Sequence, residues 1–122
     1  MSRLTFTSPP PGLGSATDFE LNTVEGAQGL YSLQTASDPE FGMYLISSDF
    51  VPGYAPSIPH EHLSELGLPA GEPAPVLLVA RTDGAITVNL MAPIVINRAR
   101  GLASQVILEG EEYPMRAELA YA

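Results

Sequence analysis

The sequence predicts a mainly β fold: a small antiparallel β-barrel-like domain with one short helix. Three observations carry this. Short apolar runs recur along the chain, either alternating with polar residues, as in Ile86-Thr87-Val88-Asn89-Leu90, or β-branched and continuous, as in Ile94-Val95-Ile96. Turn signals separate them at roughly eight- to twelve-residue intervals, the spacing of closed or sandwiched antiparallel sheets. Twelve prolines and eleven glycines, 23 of the 122 residues, keep every element short. That length supports one compact domain, 1–122, with a real core, and is too short for two.

Leu4 and Phe6 alternate with Arg3, Thr5 and Thr7 as a first strand, which Ser8-Pro9-Pro10-Pro11-Gly12-Leu13-Gly14 cannot continue. Phe19 to Thr23 forms a second strand, followed by a turn over Glu25-Gly26-Ala27-Gln28-Gly29. Tyr31 to Thr35 and Met43 to Ile46 are two more strands, separated by Ser37-Asp38-Pro39-Glu40. Asp49 to Pro59 is loop-rich. Ser57 is the expected N-cap of a helix from Pro59 to Leu66, closed by Gly67, with Leu63 and Leu66 pinning it to the sheet. Val76-Leu77-Leu78-Val79-Ala80 is apolar throughout, so both of its faces should be covered, and Asp83-Gly84 signals a hairpin into Ile86.

The stretch 85–108 organises the rest. Ile86, Val88 and Leu90 form one face of a strand that Ala92-Pro93 interrupts. Proline cannot donate to a sheet ladder, so the chain must bulge, bend or lie at an edge there. Ile94-Val95-Ile96 resumes as a strand, Arg98-Ala99-Arg100-Gly101 turns with Gly101 able to take a positive φ, and Gln105-Val106-Ile107-Leu108 returns as a third strand. Glu109-Gly110-Glu111-Glu112 is an acidic turn, and Tyr113 to Leu119 adds one edge segment.

Five arginines and no lysine stand against fourteen acids, for a formal charge of −9. That disfavours direct nucleic-acid binding, where phosphate neutralisation supplies much of the affinity. It favours a basic partner met fast and in a salt-sensitive way, unless the acidity serves solubility alone. No apolar run approaches the ~18–20 residues that span a bilayer, and the N-terminus lacks a signal-peptide h-region. The absence of cysteine is consistent with the cytoplasm.

Candidate chemistry is sparse. His60 and His62 flank Glu61, but i and i+2 on a helix point far apart, so no metal site is expected. No Gly-x-Ser-x-Gly elbow or triad context exists, and Gly12-Leu13-Gly14-Ser15 lacks the lysine of a phosphate loop. No enzyme activity and no cofactor are expected. Asn89 and Asn97 instead bracket the Ala-Pro bend, and two readings stand open. Their amides tie down backbone that the proline leaves unpaired, or the bend exposes Met91, Ala92 and Pro93 as a contact surface. The expected contact residues are Asn89, Met91, Pro93 and Asn97, with Glu109, Glu111 and Glu112 supplying negative field. Tyr54 is either a packing lid or an interface anchor.

Asn89-Leu90-Met91-Ala92-Pro93-Ile94-Val95-Ile96-Asn97, with Gln105-Val106-Ile107-Leu108 eight residues on, resembles the signature of the flagellar assembly factor FliW family. The likeness runs roughly from Phe19 to Arg116 and includes Leu66-Gly67-Leu68 and Tyr113. It implies a non-catalytic β-barrel-like module that binds flagellin and the RNA-binding translational regulator CsrA, relieving CsrA repression of flagellin translation. The alternative is a small-molecule-binding barrel with its interior as a cup. Nine aromatics and the two-faced strand at 76–80 argue that the interior is filled instead.

Overall fold

A computed structural model describes residues 2–10, 15–37, 42–51, 54, 56, 58–68, 76–81, 86–108, 113–114 and 117–118. The described residues form β1 (Ser2–Phe6), β2 (Asp18–Thr23), β3 (Leu30–Thr35), β4 (Gly42–Ser47) and a 3₁₀ turn (Ser48–Phe50). After these come α1 (His60–Glu65), β5 (Val76–Arg81), β6 (Thr87–Val88), β7 (Ile94–Asn97), β8 (Leu102–Gln105) and β9 (Ala117–Glu118). Pairing runs β4-β3-β2-β1-β8-β7-β5, and β5 returns to β4 from Tyr44↔Ala80 to Ser47↔Leu77, so seven strands close into a barrel. β6 and β9 extend from β5 beside that ring. The pairings are antiparallel except that of β1 with β8, which is parallel at Thr5↔Leu102 and Phe6↔Ala103.

Alternation along the strands fills the barrel. Leu4, Phe6, Phe19, Leu21, Leu33, Leu45, Leu77, Ile94, Ile96 and Ala103 form one buried cluster. Phe6 and Phe19 meet edge-to-face with ring centroids 5.1 Å apart. Two further clusters coat the outside. Ile46, Leu78, Ala80, Val88 and Leu90 pack with Tyr54 and Tyr113, while Leu63 and Leu66 of the helical segment pack with Val95, Val106 and Leu108. Both faces of β5 are therefore covered, which is why its sequence lacks polar alternation.

At six residues, α1 is too short to hold itself and depends on this packing. Its N-cap is Pro59, with no side-chain cap bond; Ser57, the expected cap, lies outside the described residues. Its C-terminus is closed by Gly67 at φ 75°. The Gly67 N–H donates to the Ser64 carbonyl at 3.0 Å and the Leu68 N–H to the Leu63 carbonyl at 2.8 Å, the paired bonds of a Schellman motif.

Two boundaries differ from the sequence reading. The strand expected at 86–90 is regular only at Thr87–Val88, and the return strand is Leu102–Gln105 rather than Gln105–Leu108. Both differences come from the irregularity at 89–93 described below. The Asp83-Gly84 hairpin and the acidic turn at 109–112 lie outside the described residues.

Candidate functional site

One edge of β5 is shared by two strands laid end to end. Ala80 and Arg81 pair with Val88 and Thr87, whereas Val76 and Leu77 pair with Val95 and Ile94. Between these ladders, residues 89–93 stand opposite residues 78–79. Five residues face two, so the Ala-Pro segment is a bulge with three extra residues.

The register is undisturbed on the other side. β7 and β8 pair from Asn97↔Leu102 to Ile94↔Gln105. The same register continues as the Val106 N–H donates to the Pro93 carbonyl at 2.9 Å and the Leu108 N–H to the Met91 carbonyl at 2.8 Å. The reciprocal bonds are lost because Pro93 has no N–H and the Met91 N–H turns to Asn89 Oδ1 at 3.0 Å. A half-ladder results, so 106–108 follow the bulge without forming a regular strand.

Other elements pin the remaining backbone groups. The Asn89 N–H donates to the Val79 carbonyl at 2.9 Å and the Leu90 N–H to the Pro114 carbonyl at 3.1 Å. The Tyr54 hydroxyl donates to the Leu90 carbonyl at 2.7 Å, and Gln105 Nε2 donates to the Ala92 carbonyl at 3.1 Å. Tyr54 rests edge-on against Tyr113, with centroids 5.0 Å apart. The bulge is thus bonded from β5, β8, the loop holding Tyr54 and the segment at Pro114, which leaves it little freedom to slip.

The expected contact residues divide accordingly. Asn89 and Met91 are half-buried, as is Ala92. Pro93 is buried, so the expectation that the bend exposes it is corrected, and its carbonyl is taken up by the Val106 N–H. Asn97 is also buried, at 8% exposure, and does not offer its amide to solvent. Its Nδ2 donates to the Leu66 carbonyl at 2.8 Å, at the end of α1, and its Oδ1 accepts from the Arg100 N–H at 3.3 Å. Both asparagines therefore tether backbone, Asn89 within the bulge and Asn97 at its far side. Glu109, Glu111 and Glu112 lie outside the described residues.

Gln105 is a positioning residue that sequence reasoning did not assign, and Tyr54, which the sequence left between packing lid and interface anchor, is a second. Gln105 is opposite Ile94 in the register, but its reach to Ala92 depends on the bulge, and Tyr54 meets Leu90 across 36 residues of chain. His60 is exposed and His62 half-buried, with His62 Nδ1 buried and without a hydrogen-bond partner among the described residues. Among the described residues no three His, Asp or Glu side chains converge as a metal site would require. A hollow of about 520 Å³ lies outside the barrel over the β2–β3 turn, between Thr23 and Tyr31. No helix among the described residues is long and apolar enough to cross a membrane.

A closed seven-stranded barrel with its interior packed by its own side chains, and with a bulge bonded from several elements, belongs to the class of small filled β-barrel modules. The FliW protein family model matches residues 1–119, and the chain belongs to that family. It is 40% identical over 94 residues to the flagellar assembly factor FliW of Moorella thermoacetica, covering 71% of this chain and 58% of that one. The corresponding protein of Desulfitobacterium hafniense is 35% identical over 91 residues, covering 71% and 60%. That of Heliobacterium modesticaldum is 31% identical over 113 residues, covering 89% and 74%. The chain thus spans about 60% of the length of the first two of these relatives. A crystal structure of the flagellar assembly factor FliW superposes with a TM-score of 0.85 at 26% identity, over 98% of this chain and 86% of that one.

Proposed function

We propose that the chain is a cytoplasmic, non-catalytic flagellar assembly factor that binds flagellin and CsrA as alternative partners, relieving CsrA repression of flagellin translation. The observation that carries this reading is the family match over residues 1–119, among relatives named flagellar assembly factors. A partner switch needs two exclusive or negatively coupled interfaces and no catalytic group. The filled barrel interior favours this over a ligand cup.

The contact surface we propose is the face of the bulge carrying Asn89 and Met91, with Ala92 beside them. Pro93 contributes by breaking the ladder there, Asn97 by tying the end of β7 to α1, and Glu109, Glu111 and Glu112 contribute charge. The formal charge of −9 supports electrostatic inhibition, because an acidic body docked beside a basic RNA-binding surface disfavours phosphate approach.

The test is co-purification of the full chain with CsrA and with flagellin from the same source, at low and high salt. Capture of each, with each displacing the other, is the expected result. Failure to retain either at low salt overturns the reading.

A further inference from the structure

Among the described residues, the second edge of β8 is unpaired where β1 stops. In the β7–β8 register, Leu102, Ser104 and Val106 turn their backbone groups toward β7, whereas Gly101, Ala103, Gln105 and Ile107 turn theirs toward β1. The first two of the latter group are used: the Thr5 N–H donates to the Gly101 carbonyl at 2.8 Å and the Thr7 N–H to the Ala103 carbonyl at 3.0 Å. The next two are not. Among the described residues, nothing bonds the backbone of Gln105 or Ile107 on that side.

The sequence supplies the reason. Continuing the parallel register of Thr5↔Leu102 would set Ser8, Pro9 and Pro10 beside Gln105, Val106 and Ile107. Neither proline can donate, and β1 ends at Phe6. At this edge, Ile107 is 59% exposed, more than Tyr44 or Phe50, the other large exposed apolar side chains among the described residues. The edge is also fixed from behind, since the bonds of Val106 to Pro93 and Leu108 to Met91 hold 106–108 extended against the bulge.

We infer that the edge at Gln105 and Ile107 is a strand-addition site for an extended segment of a basic protein partner. The incoming strand hydrogen-bonds the backbone of Gln105 and Ile107, and an apolar side chain packs on Ile107. Charge selects the partner. Glu109 begins two residues beyond Ile107, Glu111 and Glu112 follow, and the chain carries −9 overall, so the fitting segment alternates apolar residues with Arg or Lys. The inference concerns the mode of docking and does not depend on flagellin or CsrA being the partner.

The test titrates the full chain with acetyl-Arg-Val-Arg-Val-Arg-Val-amide, following amide chemical shifts and hydrogen exchange by NMR. Binding should slow exchange of the Gln105 and Ile107 amides at least tenfold. The fully N-methylated peptide, which has no N–H to donate, and a Glu-Val peptide of equal length should each bind at least tenfold more weakly. Ile107→Pro removes one edge donor and should cost a similar factor. Should that variant not fold, Ile107→Ala removes the side-chain anchor and should weaken binding several-fold. Absence of binding, equal binding of the N-methylated peptide, or binding without protection at these two amides overturns the inference. Failed co-purification with flagellin and CsrA would leave it standing, and a failed peptide titration would leave the flagellar role standing.

Discussion

At the scale of single residues, Asn97 shows how a site reading and a packing reading separate. Its side chain joins the end of α1 to the β7–β8 turn, and it is buried while doing so. Asn97→Ala leaves the Leu66 carbonyl without that donor and the Arg100 N–H without its side-chain acceptor. Losing a buried partner costs about 1–3 kcal/mol, so the urea midpoint should fall accordingly. Asn97→Asp should be no better, because a carboxylate facing the Leu66 carbonyl cannot donate. An unchanged midpoint in both variants would show that the tether contributes nothing. Gly67 carries a second residue-scale prediction. With φ at 75°, Gly67→Ala should cost about 1–2 kcal/mol in the same measurement. The added Cβ would also come within 2.9 Å of the Arg100 guanidinium, but that flexible group can move aside. The sequence made Gly67 readable, since a glycine after an apolar helical face signals a left-handed cap. It did not make Asn97 readable, because its partner lies 31 residues earlier in the chain.

At the scale of elements, the bulge between β6 and β7 was half legible. Proline inside a strand demands a break in the ladder, and the break is where Ala92-Pro93 places it. The size of the insertion was not legible, because five residues against two is a property of the register with β5, which local sequence does not contain. For the same reason the β8 boundary was displaced: the apolar alternation continues through Val106 and Leu108, while the partner strand has lost its reciprocal donors. Tyr54 tests how firmly the bulge is held. Tyr54→Phe keeps the edge-on contact with Tyr113 and the outer cluster but deletes the bond to the Leu90 carbonyl. A stability loss of about 0.5–1.5 kcal/mol is expected from a single hydrogen bond. Faster amide exchange at Asn89 and Met91 should accompany it if the hydroxyl is a pin of the bulge. Lost stability without faster exchange there would place the effect in the outer cluster instead.

At the scale of the whole molecule, a filled, barrel-like β fold followed from alternation and turn spacing, but the strand pairing that closes it did not. The parallel β1–β8 pair brings the N-terminal strand beside residues almost a hundred positions later, and no periodicity encodes that. It is this late pairing that stops ahead of Pro9 and Pro10 and, among the described residues, leaves the β8 edge unpaired. The overall charge then bears on how any partner arrives. Charges on a body of −9 act over the Debye length, ~10 Å at 0.1 M salt and ~3 Å at 1 M. If a basic partner is steered by that field, raising salt across this range should lower its association rate at least tenfold and change its dissociation rate far less. Stopped-flow association at several salt concentrations separates the two. A flat association rate with a rising dissociation rate would mean that short-range contacts at the bulge and the β8 edge select the partner, and that the acidity serves solubility.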